Sequence, residues 1–171
     1  MSRGKAPLPV VVLVSGHGSN LQAILDRVAA GTLPVDVRAV VSDKPDAQAL
    51  KRARAAGVTA ETVTATEFPA KAAYDNALNA AVDRHSPALV ILAGFMRILG
   101  PEFVRRYRRA RGRAAIILMS ADPTVEDIAA ELHVIALQKS GDPSRLLECL
   151  GRVLPDPPAP MPAIREGAPR R

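Results

Sequence analysis

The chain has 171 residues, of which 48% are hydrophobic, 23% charged and only 3% aromatic, a balance that suits one globular domain with a core of Ala, Val, Leu and Ile. A single cysteine, Cys149, excludes an internal disulfide framework, and no apolar run approaches the roughly 20 residues needed to cross a bilayer. The net charge of +6 is matched by six arginines between Arg105 and Arg113 with no acid among them; such a run is usually a solvated helix end or loop, and with only Tyr107 interleaved, nucleic acid is not an expected partner.

The N-terminus, Met1 to Lys5, is basic and precedes an apolar stretch, the outline of a signal peptide. Pro7 and Pro9 interrupt it and no cleavage-like ending follows, so a cytoplasmic, reducing location is expected. Val10 to Val14 is a continuous apolar run, as a strand buried on both faces should be. After the turn Ser15-Gly16-His17-Gly18, the apolar residues Leu21, Ile24, Leu25 and Val28 recur at helical spacing, with Ser19 or Asn20 placed to cap the helix. Val35 to Val41 predicts a second strand, Asp46 to Ala56 a short helix stopped by Gly57, and Thr59 to Thr64 a weaker edge strand.

Tyr74, Ala77, Leu78, Ala81 and Val82 share one face of a third helix ending near Ser86-Pro87, and Ala88 to Ala93 is again a buried strand. A short helix from Glu102 carries the arginines. Ala114 to Met119 predicts a fifth strand, Thr124 to Leu132 a helix, and Val134 to Leu137 a sixth strand. Asp142-Pro143 opens a last helix through Leu146, Leu147, Leu150 and Val153. From Pro155 onward six of 17 residues are Pro, which predicts a disordered tail. Strands alternating with helices give an α/β class: a three-layer αβα domain over residues 1–154, with a mostly parallel sheet of about six strands, Rossmann- or flavodoxin-like, and a tail over 155–171.

In such a sheet ligands bind outside the carboxyl ends of the strands where strand order reverses. The places to look are Ser15 to Asn20, Gly94 to Leu99 and Ser120 to Asp122. The first of these joins a buried strand to a helix start. Its glycines let backbone approach an anion closely, and the free amides of the first helical turn point at it. No Lys follows the last Gly, so it is not a Walker loop, and the third Gly of a dinucleotide fingerprint is missing. The chemistry is that of a phosphate or other anion site at Gly18, Ser19 and Asn20; the bland alternative is a turn needed only for tight strand–helix packing. His17 alone is a solvent-exposed turn residue.

Together with Ala93-Gly94-Phe95-Met96-Arg97-Ile98-Leu99, this loop makes residues 9 to about 107 resemble the phosphoribosylglycinamide formyltransferases. Val11 to Ala23, Val40-Val41-Ser42-Asp43, Ala73-Tyr74-Asp75, Leu89 to Leu99 and Phe103-Val104 bear the likeness. The resemblance implies a Rossmann-like enzyme of purine synthesis that moves a formyl group from 10-formyltetrahydrofolate to the amine of glycinamide ribonucleotide. It implies that Gly18, Ser19 and Asn20 hold the ribonucleotide phosphate and that Met96, Arg97, Ile98 and Leu99 line the folate side. Lys71 falls where the family has a basic residue, usually Arg, near the folate, and keeps the charge without the bidentate fork. No metal is implied.

The family's next strand carries Asn-x-His-Pro, whose Asn and His polarise the formyl carbonyl, and a later Asp handles protons with the His. Here the strand is Arg113-Ala114-Ala115-Ile116-Ile117-Leu118-Met119-Ser120, with neither residue. His133 and Asp122 lie outside that motif and suit helix-end and capping roles, so the catalytic residues are not identified. Residues 114–154 instead resemble the C-terminal part of a response-regulator receiver domain, with Ser120 and Lys139 matching the Ser or Thr and the Lys that end its last two strands. The acidic pair and acceptor Asp of that family have no counterpart. The chain thus has the outline of a fusion or chimera, 8–107 formyltransferase-like and 114–154 receiver-like. The functional readings are a formyltransferase, a binding module that holds a phosphorylated ribonucleotide without turnover, or a receiver-like signalling domain.

Overall fold

Valines and leucines with nothing polar between them belong where both faces of a strand are covered. In β1 (Leu8–Val14) every side chain from Val10 to Val14 is buried. The computed structural model describes residues 6–109, 115–120 and 135–138, with single helical positions at 127, 130, 144, 145, 148 and 149. Within these, β1 pairs in parallel with β2 (Val35–Ser42) on one side and β4 (Leu89–Ala93) on the other. β3 (Thr59–Thr62) lies outside β2, and β5 (Ala115–Ser120) and β6 (Ile135–Gln138) continue beyond β4, again parallel. The order is β3-β2-β1-β4-β5-β6, so the direction of winding reverses between β1 and β4.

Helices cover both faces. Val10, Val12 and Val14 point toward α1 (Ser19–Ala29) and α2 (Gln48–Ala55), packing with Leu21, Ile24, Leu50 and Ala53. Val11 and Leu13 point the other way, toward Tyr74, Leu78 and Val82 of α3 (Lys71–Asp83) and Phe103, Val104 and Tyr107 of α4 (Pro101–Arg109). Ile135 and Cys149 pack against the first of these cores. This is the expected three-layer, parallel, Rossmann-like α/β fold with six strands among the described residues. None of the described helices is long and apolar enough to cross a membrane.

One irregularity matters later. Val10 lies opposite Val37 but Val11 lies opposite Ala39, so Arg38 is an extra residue in β2. Side-chain alternation slips there: Val35, Val37 and Val40 face the α1/α2 side, Ala39 and Val41 the α3/α4 side.

Several expectations are corrected. Neither Ser19 nor Asn20 caps α1; Gly18 is the N-cap, with φ +77°, and no side chain bonds the first turn. A capping Ser or Asn needs an extended backbone at that position, and the left-handed turn at Gly18 pushes both residues into the helix. α2 starts at Gln48 and not at Asp46. Tyr107, the aromatic inside the arginine run, is buried against Phe103, with ring centroids 4.8 Å apart, and its hydroxyl donates to Asp83 at 2.7 Å. It is therefore not available for stacking on a base. Asp122, His133, Lys139, the arginines at 111 and 113, most residues of the two expected C-terminal helices and the expected Pro-rich tail lie outside the described residues.

Candidate functional site at the strand-order reversal

The turn after β1 is shaped by its contacts with α2. The Ala49 amide donates to the Gly16 carbonyl at 3.1 Å. A Cβ on Gly18 would sit 2.6 Å from that of Ala49, so both the left-handed backbone and the close helix approach require glycine here. Arg52, one turn further along α2, donates from Nε to the His17 carbonyl at 2.9 Å and from Nη1 to Gln22 Oε1 at 3.1 Å; its Nη2 lies 3.3 Å from His17 Nδ1. Gly16, His17 and Ser19 are exposed, whereas Asn20 is buried. The turn thus leaves α1 with an uncapped N-terminus, whose first amides have no acceptor within the helix and present partial positive charge.

The second loop follows β4. Gly94, at φ +76°, reverses the chain, and the Met96 amide donates to Ser15 Oγ at 2.8 Å. That bond joins the two loops flanking the reversal, Ser15 itself being buried. Arg97 reaches back to the end of β2, its Nε 3.2 Å from Asp43 Oδ2, and its guanidinium lies 5.4 Å from the centre of the Tyr74 ring. With Arg97 drawn inward, its neighbours Met96 and Ile98 stand out at 76% and 84% exposure. Lys71, at the start of α3, pairs with Asp75 at 2.5 Å. This pair abuts Gly100, where a Cβ would lie 2.7 Å from Asp75 Oδ2 and 3.7 Å from Lys71 Nζ.

The expected residues therefore form two groups at one edge of the sheet: Gly18, Ser19 and Asn20 on the first loop, and Lys71 with Met96 to Leu99 beside the second. The third expected segment contributes Ser120 at the end of β5, with 121–122 outside the described residues. Asp43 and Tyr74 entered the sequence reading only within matching stretches or as a helix face, and Arg52 not at all; none was given a role in the site. Asp43 is buried, with Oδ1 unbonded among the described residues, as is the Tyr74 hydroxyl. Burial, then the Asp43 carboxylate, push the Tyr74 phenol up to about 12. The described residues contain no grouping of His, Cys, Asp and Glu able to hold a metal ion.

The family model described as "Formyl transferase" matches residues 8–111, the stretch containing both loops. The chain belongs to the formyl transferase family. Among its relatives, the phosphoribosylglycinamide formyltransferase of Escherichia coli is 50% identical over 98 residues, covering 57% of this chain and 46% of the relative. That of Mycobacterium tuberculosis is 40% identical over 127 residues, or 74% and 58%. The solved phosphoribosylglycinamide formyltransferase of Brucella melitensis superposes with a TM-score of 0.61 at 32% identity, covering 75% of this chain and 68% of that one. A formyltetrahydrofolate deformylase from Pseudomonas putida also superposes, with a TM-score of 0.52 at 31% identity over 58% of this chain and 35% of that one. The chain spans about half the length of the curated relatives it matches. Formyl transferase membership accounts for residues 8–111; the receiver-like reading of 114–154 lies outside that match.

Proposed function

We propose that this chain binds glycinamide ribonucleotide through its phosphate at Gly18, Ser19 and Asn20, binds 10-formyltetrahydrofolate beside Lys71 and Met96 to Leu99, and serves formyl transfer in purine synthesis. The observation that carries the reading is the Met96–Ser15 bond, which fastens an anion-ready helix start to an apolar loop where strand order reverses. The residues suit the two ligands. An uncapped helix N-terminus favours a phosphate, and exposed Met96 and Ile98 suit a flat heterocycle. The amine of Lys71 suits a carboxylate. Bound, the folate would supply the activated formyl group; the chain would orient the phosphate-anchored amine toward it.

Catalytic groups are a separate matter. Formyl transfer needs a donor for the developing oxyanion and a base near the attacking amine. Ala115 to Ser120, where the resemblance calls for Asn-x-His, holds neither residue. Loss of such groups lowers rates by on the order of 10³-fold. This favours, as a second reading, ribonucleotide binding with little or no turnover. Calorimetry with glycinamide ribonucleotide, on wild type and Asn20→Ala, tests the site. Binding at least tenfold weaker in the variant supports it, and equal heats overturn it. Release of tetrahydrofolate above a buffer blank selects the enzyme over the silent module. The receiver-like reading of 114–154 requires phosphate uptake from acetyl phosphate with Mg²⁺, and none is expected, since no Asp ends the third strand, where that family carries its acceptor.

A further inference from the structure

Arg52 is the one long side chain of α2 that turns back onto the β1–α1 turn, and its three nitrogens are spent there. Nε holds the His17 carbonyl, Nη1 holds Gln22 Oε1, and Nη2 lies against the His17 ring. Gln22 is itself fixed, because its Nε2 donates to Asp26 Oδ1 at 2.8 Å. A line of hydrogen bonds thus runs from Asp26 in α1 through Gln22 and Arg52 to the middle of the turn. From the same helix the Ala49 amide takes the Gly16 carbonyl.

We infer that Arg52 is a positioning residue that presets the Gly16–Asn20 turn for anion capture, an inference resting on the phosphate reading above. Two glycines make the free turn conformationally costly to order, and a site that must be ordered by its ligand binds more weakly than one already ordered. Arg52 orders it beforehand. It also occupies a carbonyl oxygen that would oppose an anion and brings a positive charge beside the turn. The planar fork is required: a lysine amine could reach the His17 carbonyl yet could not hold the carbonyl and Gln22 in one plane.

The test compares wild type, Arg52→Met and Arg52→Lys, with Gln22→Ala as a milder variant. Calorimetry with ribose 5-phosphate reads affinity, circular dichroism reads the fold, and hydrogen exchange without ligand reads the amides of His17 to Asn20. The expected result is affinity at least tenfold weaker in Arg52→Met and about threefold weaker in Arg52→Lys. Exchange across the turn should be at least tenfold faster in Arg52→Met. A folded Arg52→Met with wild-type affinity overturns the inference, even if its melting temperature falls, since a merely structural residue would behave so. Should Arg52→Met not fold, unchanged affinity and exchange in both Arg52→Lys and Gln22→Ala overturn it equally. If wild type itself fails to bind ribose 5-phosphate, the phosphate reading falls and the capture role falls with it. Binding that is present but indifferent to Arg52 removes the inference alone.

Discussion

The two loops at the reversal are built on opposite plans. The turn after β1 is clamped from one side by α2 through Ala49 and Arg52, and it offers mainly backbone. The loop after β4 is moored by one amide, at Ser15, and one guanidinium, at Asp43, and it offers the largely exposed apolar side chains of Met96 and Ile98. An anion is recognised by amides whose directions are already fixed, so rigidity helps. A flat apolar ligand is recognised by contact area, so side chains free to settle against it help more. On the proposed reading, the difference teaches that each loop is held as tightly as the chemistry of its proposed ligand demands.

The largest effect should come from Gly18→Ala, which attacks the rigid loop where two constraints coincide. Left-handed backbone and a 2.6 Å approach to Ala49 together should cost about 2–4 kcal/mol in urea unfolding and abolish ribonucleotide binding. A stable variant that still binds would show that the turn is not as tightly determined as its contacts imply. Next is Asp43→Ala, which frees Arg97. Because the arginine side chain is already 42% exposed, stability should fall by only about 1 kcal/mol. Folate affinity, read by fluorescence titration of folic acid, should fall severalfold while ribose 5-phosphate affinity stays put. Equal losses for both ligands would erase the distinction between the loops.

Glu61, on the edge strand and away from both loops, serves as the control. Burial raises its carboxyl, but hydrogen bonds from His85 and Arg84 outweigh that and hold it below the usual 4.5. Its contribution is present above pH 4.5 and disappears as pH falls through the lowered value. Thermal melts from pH 6 to pH 3 should lose stability less steeply in Glu61→Gln, with ligand binding at neutral pH unaltered. The smallest effect belongs to Tyr74→Phe. Removing a buried hydroxyl with no partner among the described residues should leave stability at pH 7 equal or slightly higher, and the ring remains under Arg97. Since burial raises the phenol from 10 to about 12, folding of the wild type should weaken between those pH values, and the variant should not share that loss.

Much of this architecture was legible in the residues. Strands buried on both faces announce themselves as unbroken runs such as Val10–Val14, and the helical stripe Leu21, Ile24, Leu25 has one meaning. The glycine turn before an amphipathic helix was legible too, and the structure places it at an uncapped helix start; that it holds an anion is the proposal made above. What escaped was everything that depends on distant segments meeting. Arg52 lies in Leu50-Lys51-Arg52-Ala53-Arg54, which has the look of a solvated face; only its place one turn after Ala49 and beside Ala53, both buried, hints that it can reach the turn. Asp43 and Tyr74 come together through a guanidinium 54 residues from the former. The cap at Gly18 escaped for the same reason: side-chain identity favoured Ser19 or Asn20, while the close approach of Ala49 from another helix decided for glycine.

The slip at Arg38 has a reach beyond the strand in which it occurs. In unbroken pairing, the position facing Ser15 past the end of β2 would be Ser42; with one residue looped out, Asp43 moves up alongside it. The same slip inverts parity, so that Asp43 turns toward Tyr74 and Arg97 and not toward α1. Were Arg38 instead drawn into regular pairing opposite Val11, every residue after it would slip by one; the carboxylate would turn to the wrong side of the molecule, Arg97 would lose its anchor, and half of the cleft would come apart from a point five residues upstream.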